Sequence, residues 1–166
     1  MATLLDEYNE WNNPIVGAYL LWKFSLGYVN AHRDHLSPPL LLHFIAITLL
    51  RGRVYSENID HALSLHAYAA KLVKEGFADK LEALHDRVQA HLPYAMKSID
   101  MAVSRKMLIL DTESATLIPV EIPKVQKGTR TLSPSVQKLG KRAEKLGKWM
   151  APLELSTISL DLGVKF

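Results

Sequence analysis

Seven histidines, seventeen carboxylates and no cysteine make up the reactive inventory of this 166-residue chain. The densest polar group is His32-Arg33-Asp34-His35, where two imidazoles and an acid could contribute to a metal site. That spacing is not specific to a metal. The segment also lies in a polar stretch closed by Pro38-Pro39, which reads as a solvated loop. His61 with His66, and His85 with His91, miss the i, i+4 spacing that sets two rings on one helix face. His43 sits inside an apolar run and reads as a core residue. The carboxylate pairs Glu57 with Asp60 and Glu82 with Asp86 fall on polar helix faces. There is no glycine loop ending in Lys-Ser/Thr, no G-x-G-x-x-G and no G-x-S-x-G elbow. The lack of cysteine excludes disulfides, thiol catalysis and cysteine-ligated zinc, and makes a reducing cytoplasm the simplest compartment. The expectation is a chain with no catalytic residue, no metal and no cofactor.

The remaining chemistry is electrostatic. Between Lys124 and Lys148 stand eight Lys or Arg and one acid, Glu144, while the rest of the chain is net negative. Within this quarter, Lys138, Lys141, Lys145 and Lys148 recur at 3, 4 and 3 along one helix face. Such a stripe is either a solvated face or a surface for phosphates or an acidic partner, and it reads no bases. Arg105 and Lys106, at the base of a predicted hairpin, could join it. Trp149 is the lone aromatic nearby, which argues against stacking on a single strand.

These residues must be positioned by a body that is 48% apolar and 22% charged, the composition of one globular domain over residues 1–166. The acidic opening Met1–Glu7 does not read as a signal peptide. Asn13 and Pro14 cap and start a helix that runs to about Asn30 and is apolar on nearly every side. It is too short and too interrupted by Lys23 to span a bilayer, so it reads as a central core helix. Leu40–Leu50 reads as a buried helix, with a strand as the alternative. A loop and short helix follow over 51–63, then a helix over Leu65–Lys74 closed by Gly76. Leu81, Leu84, Val88 and Leu92 predict one amphipathic helix from Phe77 to about Leu92. Pro93 breaks it or starts the next, whose inward residues are Ala95, Ile99, Ala102 and Val103. The runs MLIL and TLIPVEI then flank Asp-Thr-Glu-Ser, a hairpin signal, with Pro119 marking an edge strand. Helix, turn, helix and hairpin is the order of a winged helix, placed at about 77–122. A basic linker and a helix fill 123–150, with Val136, Leu139, Ala143, Leu146 and Met150 facing inward. The tail is a short helix or strand. The fold class is mainly α (α+β): a helical domain with a winged-helix-like module, a small hairpin and a C-terminal amphipathic helix.

Several stretches occur together in a recognisable order. They are Asn13-Pro14 with Leu20-Leu21-Trp22-Lys23-Phe24 and Gly27-Tyr28, then Pro38-Pro39-Leu40-Leu41-Leu42, then Arg87 to Ala95 with the hairpin, then Lys141 to Trp149. In this order the chain resembles the middle component of three-component ABC-ATPase (ABC-3C) systems of the Lamassu type. The resemblance implies a bacterial defence complex in which a chromosome-maintenance-like (SMC-like) ABC ATPase senses foreign DNA. A separate effector, often a nuclease, does the damage, and the middle component joins the two without chemistry of its own. It also implies that part of the apolar surface is covered by a partner subunit. Two rivals stand beside this reading. A stand-alone winged-helix DNA-binding regulator would read bases through Lys97, Ser98 and Asp100. A metal-dependent enzyme would use His32, Asp34 and His35, and would bind metal as an isolated chain until His35→Ala removed it.

Overall fold

The structure, a computed structural model, describes residues 4–121 and 132–166. The short helix α1 (Leu4–Asn12) hands over at Asn13 to α2 (Pro14–Ala31). Asn13 Oδ1 accepts from the Ile15 amide at 2.9 Å. Pro14 takes the first helical position, where no amide donor is required. From Val16 to Val29 no residue of α2 is exposed, so its all-round apolar sequence is that of an enclosed helix. Leu20, Leu21 and Phe24 are at most 1% accessible, and each such burial contributes roughly 1.5–3 kcal/mol. Among the described residues, no helix is long and apolar enough to cross a membrane.

The second apolar run is helical, α3 (Leu40–Arg51), and is followed by α4 (Arg53–Glu57) and a 3-10 turn, Asn58–His61. Ser64 caps α5 (Leu65–Lys74), and Gly76 ends it at φ +88°, a conformation that favours glycine. The single helix expected over 77–92 is instead two, α6 (Ala78–Glu82) and α7 (Leu84–Ala90). Ala83, at φ −82° and ψ −9°, tightens the chain between them, and Leu84 is fully buried. Periodicity alone could not show that break. Pro93 lies in the first turn of α8 (Leu92–Ser104), where it restarts the helix. Ala95, Ile99 and Ala102 are buried as expected, whereas Val103 is 38% accessible and faces outward.

The hairpin is β1 (Leu108–Asp111) antiparallel to β2 (Thr116–Pro119), with Ile109 opposite Ile118 and Leu110 opposite Leu117. It is built into the body. The Leu40 amide donates to the Ala115 carbonyl at 2.8 Å and the Leu117 amide to the Pro38 carbonyl at 3.2 Å. The segment entering α3 therefore runs along the outer edge of β2. Trp22 of α2 adds a bond from its indole N–H to the Val120 carbonyl at 2.8 Å.

The last long helix, α9 (Pro134–Met150), packs along α2, and α10 (Leu155–Leu162) closes the chain against α5. The five predicted inward residues of α9 are all buried. Gly27 and Gly147 let the two backbones meet. A β-carbon at Gly147 would overlap the Phe24 carbonyl oxygen, and one at Gly27 would overlap the Glu144 carbonyl. Of the expected linker 123–132, residues 123–131 lie outside the described residues.

Candidate functional site

The four lysines of the α9 stripe do not behave alike. Lys148 Nζ lies 3.4 Å from Glu144 Oε1, and Lys23 of α2 holds the other oxygen of the same carboxylate at 3.0 Å. Burial pushes the Glu144 carboxyl up, but the two lysines outweigh it and hold its pKa below the ordinary value. Lys145 donates to the Asp60 carbonyl at 3.2 Å and stands 5.3 Å over the Trp149 ring. Lys145 thus ties α9 to the 3-10 turn, while the tie to α2 runs from Glu144 to Lys23, and Lys148 braces that carboxylate from within α9. Lys138 and Lys141 are exposed and form no ion pair or hydrogen bond among the described residues. Arg105 and Lys106 sit apart in sequence, at the junction of α8 and β1. Their hydrogen bonds return to Met101 and Val103 within α8, and Lys106 adopts φ +60°.

The residue that the stripe conceals is Arg142. It is 8% accessible and grips Asp60 with two nitrogens, Nε at 2.9 Å and Nη2 at 2.7 Å, while Nη1 donates to Ser56 Oγ at 2.8 Å. The hydrogen bonds from Arg142 hold the Asp60 carboxyl below its usual range against a smaller opposing effect of burial. The pairing spans 82 positions, so no local pattern announced it.

Beside Arg142 opens a cleft of about 440 Å³ between α1, the α3–α4 junction and α9. Arg51, Arg53 and Lys138 reach it, with Glu57 as the one acid among the described lining residues and Trp11 and Leu139 as its apolar wall. Arg51 stacks on the Tyr94 ring at 3.7 Å and donates to Asn12 Oδ1 at 3.1 Å. Arg53 pairs with Glu57 through Nε at 2.9 Å, and both side chains are mostly in solvent.

The polar loop after α2 uses its imidazoles for chain closure. His32 Nδ1 accepts from the Asp34 amide at 3.1 Å, its ring stacks on Tyr28, and His35 Nδ1 bonds the Val29 carbonyl at 2.9 Å. Among the described residues no group of three or more His, Asp or Glu side chains is placed to hold a metal ion. A serine–histidine pair does exist. Ser25 Oγ is 2.7 Å from His43 Nε2, and His43 Nδ1 is 3.0 Å from the Pro39 carbonyl. A carbonyl only accepts, so Nδ1 carries the proton and Nε2 accepts from the serine hydroxyl. Both side chains are 0% accessible, so the pair fastens α2 to α3 out of reach of any substrate. On α8, Ser98 is also fully buried, with its hydroxyl donating to the Tyr94 carbonyl at 2.9 Å. Of the three side chains that a base-reading helix would present there, only Lys97 and Asp100 are exposed.

Compared with known families, the sequence matches the ABC-three component (ABC-3C) system Middle Component 3 over residues 1–166. The chain belongs to this family. No curated protein and no solved structure matches it. As a middle component it is one part of a multi-component system. Among the described residues its accessible features include Lys138 and Lys141, the cleft beside Arg142, and the outer hairpin face where Ile109 and Ile118 are 53% and 38% accessible.

Proposed function

We propose that this chain is a non-catalytic cytoplasmic adaptor subunit of a bacterial anti-phage or anti-plasmid defence complex of the Lamassu type. In this reading it holds an SMC-like ABC ATPase to an effector such as a nuclease. The observation that carries it is the full-length match to a middle-component family. The helical body is the rigid spacer. The part from 77 to 122 is a winged-helix-like module whose docked hairpin presents its outer face to protein. Arg105, Lys106, Lys138, Lys141, Lys145 and Lys148 are the candidate contacts to a partner or, without base reading, to DNA.

The test is affinity purification of the tagged chain from its native host, followed by mass spectrometry. Recovery of a large coiled-coil ATPase and an effector at fixed stoichiometry is the expected result. A homodimer that carries only DNA would reject the adaptor and favour the regulator.

A further inference from the structure

We propose that the cleft between α4 and α9 is a docking slot for an acidic, partly apolar peptide segment of a partner subunit. The proposal rests on the adaptor reading for the source of that segment, and on the cleft itself for its chemistry.

Three observations converge. Arg51 and Arg142 are both fixed before any ligand arrives, the first by its stack on Tyr94 and the second by Asp60 and Ser56. A preorganised cation loses little side-chain freedom when an anion docks. Lys138 lines the same cleft and has no ion-pair or hydrogen-bond partner among the described residues. Arg53 is held only by an exposed i, i+4 pair with Glu57, which a guest carboxylate can replace at little loss. Among the described residues the cleft is therefore cationic and incompletely neutralised.

Its wall distinguishes the occupant. Trp11 is 37% accessible and stands with Leu139 beside the cations. An extended peptide that alternates acidic and apolar side chains matches that arrangement, with a carboxylate among Arg51, Arg53 and Lys138 and an apolar group on Trp11. Duplex DNA matches it less well, because a phosphate backbone offers no apolar group to Trp11 and Leu139.

The probe is a fluorescein-labelled peptide of about eight residues alternating Glu and Leu, titrated into the full chain and followed by anisotropy. Saturable binding that weakens with salt is expected. Lys138→Glu and Arg53→Glu should each weaken it by about tenfold or more, while Lys141→Glu, on α9 but outside the cleft, should change it by less than about twofold. All three side chains are exposed, and circular dichroism would confirm that each variant folds. Absence of saturable binding, or an equal loss for Lys141→Glu, overturns the proposal. A labelled duplex of about 20 base pairs is the second probe. If it displaces the peptide and loses affinity with the same variants, phosphate is the natural occupant and the proposal fails. The native-host purification reads the adaptor separately. An ATPase that still co-purifies with Lys138→Glu and Arg53→Glu removes the cleft and leaves the adaptor standing.

Discussion

The inner face of α9 meets α2 backbone to backbone at Gly147 and Gly27, whereas its outer face carries lysines, two engaged in the fold and two without a partner among the described residues. One helix thus holds both a backbone contact that cannot adjust and charges that can. Where two backbones touch, no side chain is left to yield, and substitution must move a helix. Where a lysine points into solvent, substitution changes only the field around it. The contrast separates residues that make the fold from residues available to a partner.

The sharpest way to break the contrast is Gly147→Ala. The new methyl would overlap the Phe24 carbonyl, so α2 and α9 must separate. We expect a loss of about 3 kcal/mol or more, or failure to fold. A urea midpoint within experimental error of the parent would show that the crossing is not as close as described.

The next effect comes from acid. His43 is fully buried and neutral, and burial lowers its pKa from 6.5 to about 4. A histidine that is harder to protonate folded than unfolded contributes stability that is whole above pH 6.5 and is lost as pH falls through the folded value. The loss should be on the order of 3 kcal/mol by pH 4. His91 is lowered in the same direction, so urea titrations across this window should compare the parent with His43→Asn. An identical pH slope in the two would assign the effect elsewhere.

Asp60→Ala should cost roughly 2–3 kcal/mol, because it leaves the Arg142 guanidinium buried without its counter-charge. Arg142→Met should cost less. It keeps the volume, and the Asp60 carboxylate, whose side chain is 33% accessible, can return to water. Equal losses measured by chemical denaturation would contradict that asymmetry. Lys141→Glu should be smallest, within about 0.5 kcal/mol, and any effect on partner recovery would then report an interface. Lys145→Glu is a poorer probe, since Lys145 also bonds Asp60 and covers Trp149.

Much of this architecture was legible in the sequence because it is local. Asn13-Pro14 and Gly76 mark helix ends through their own backbone chemistry, and the stripe from Val136 to Met150 repeats with the helix. The hairpin registered through its turn and its β-prone flanks. The missed features are non-local. The break at Ala83 is not marked by glycine or proline. The strap Pro38–Leu40 along β2 joins positions about 75 residues apart. The role of Gly147 depends on the α2 backbone packed against it from more than one hundred residues away. The surface followed the same rule, since the lysine period was visible but the engagement of Lys145 and Lys148 needed Asp60, Glu144 and Trp149 in place. The cleft needed Trp11, Arg51, Arg53 and Lys138 brought together from three separate stretches.

The pairing of α2 with α9 also sets a schedule. On the ribosome, Ala31 is synthesised more than one hundred residues before Met150, and at 5–20 residues per second the wait is roughly ten seconds. Through that interval α2, apolar on nearly every side, has no α9 to lie against. A nascent chain stalled anywhere before Pro134 would display that bare surface to chaperones and proteases. Quality control could therefore recognise an unfinished copy by the missing last helix alone.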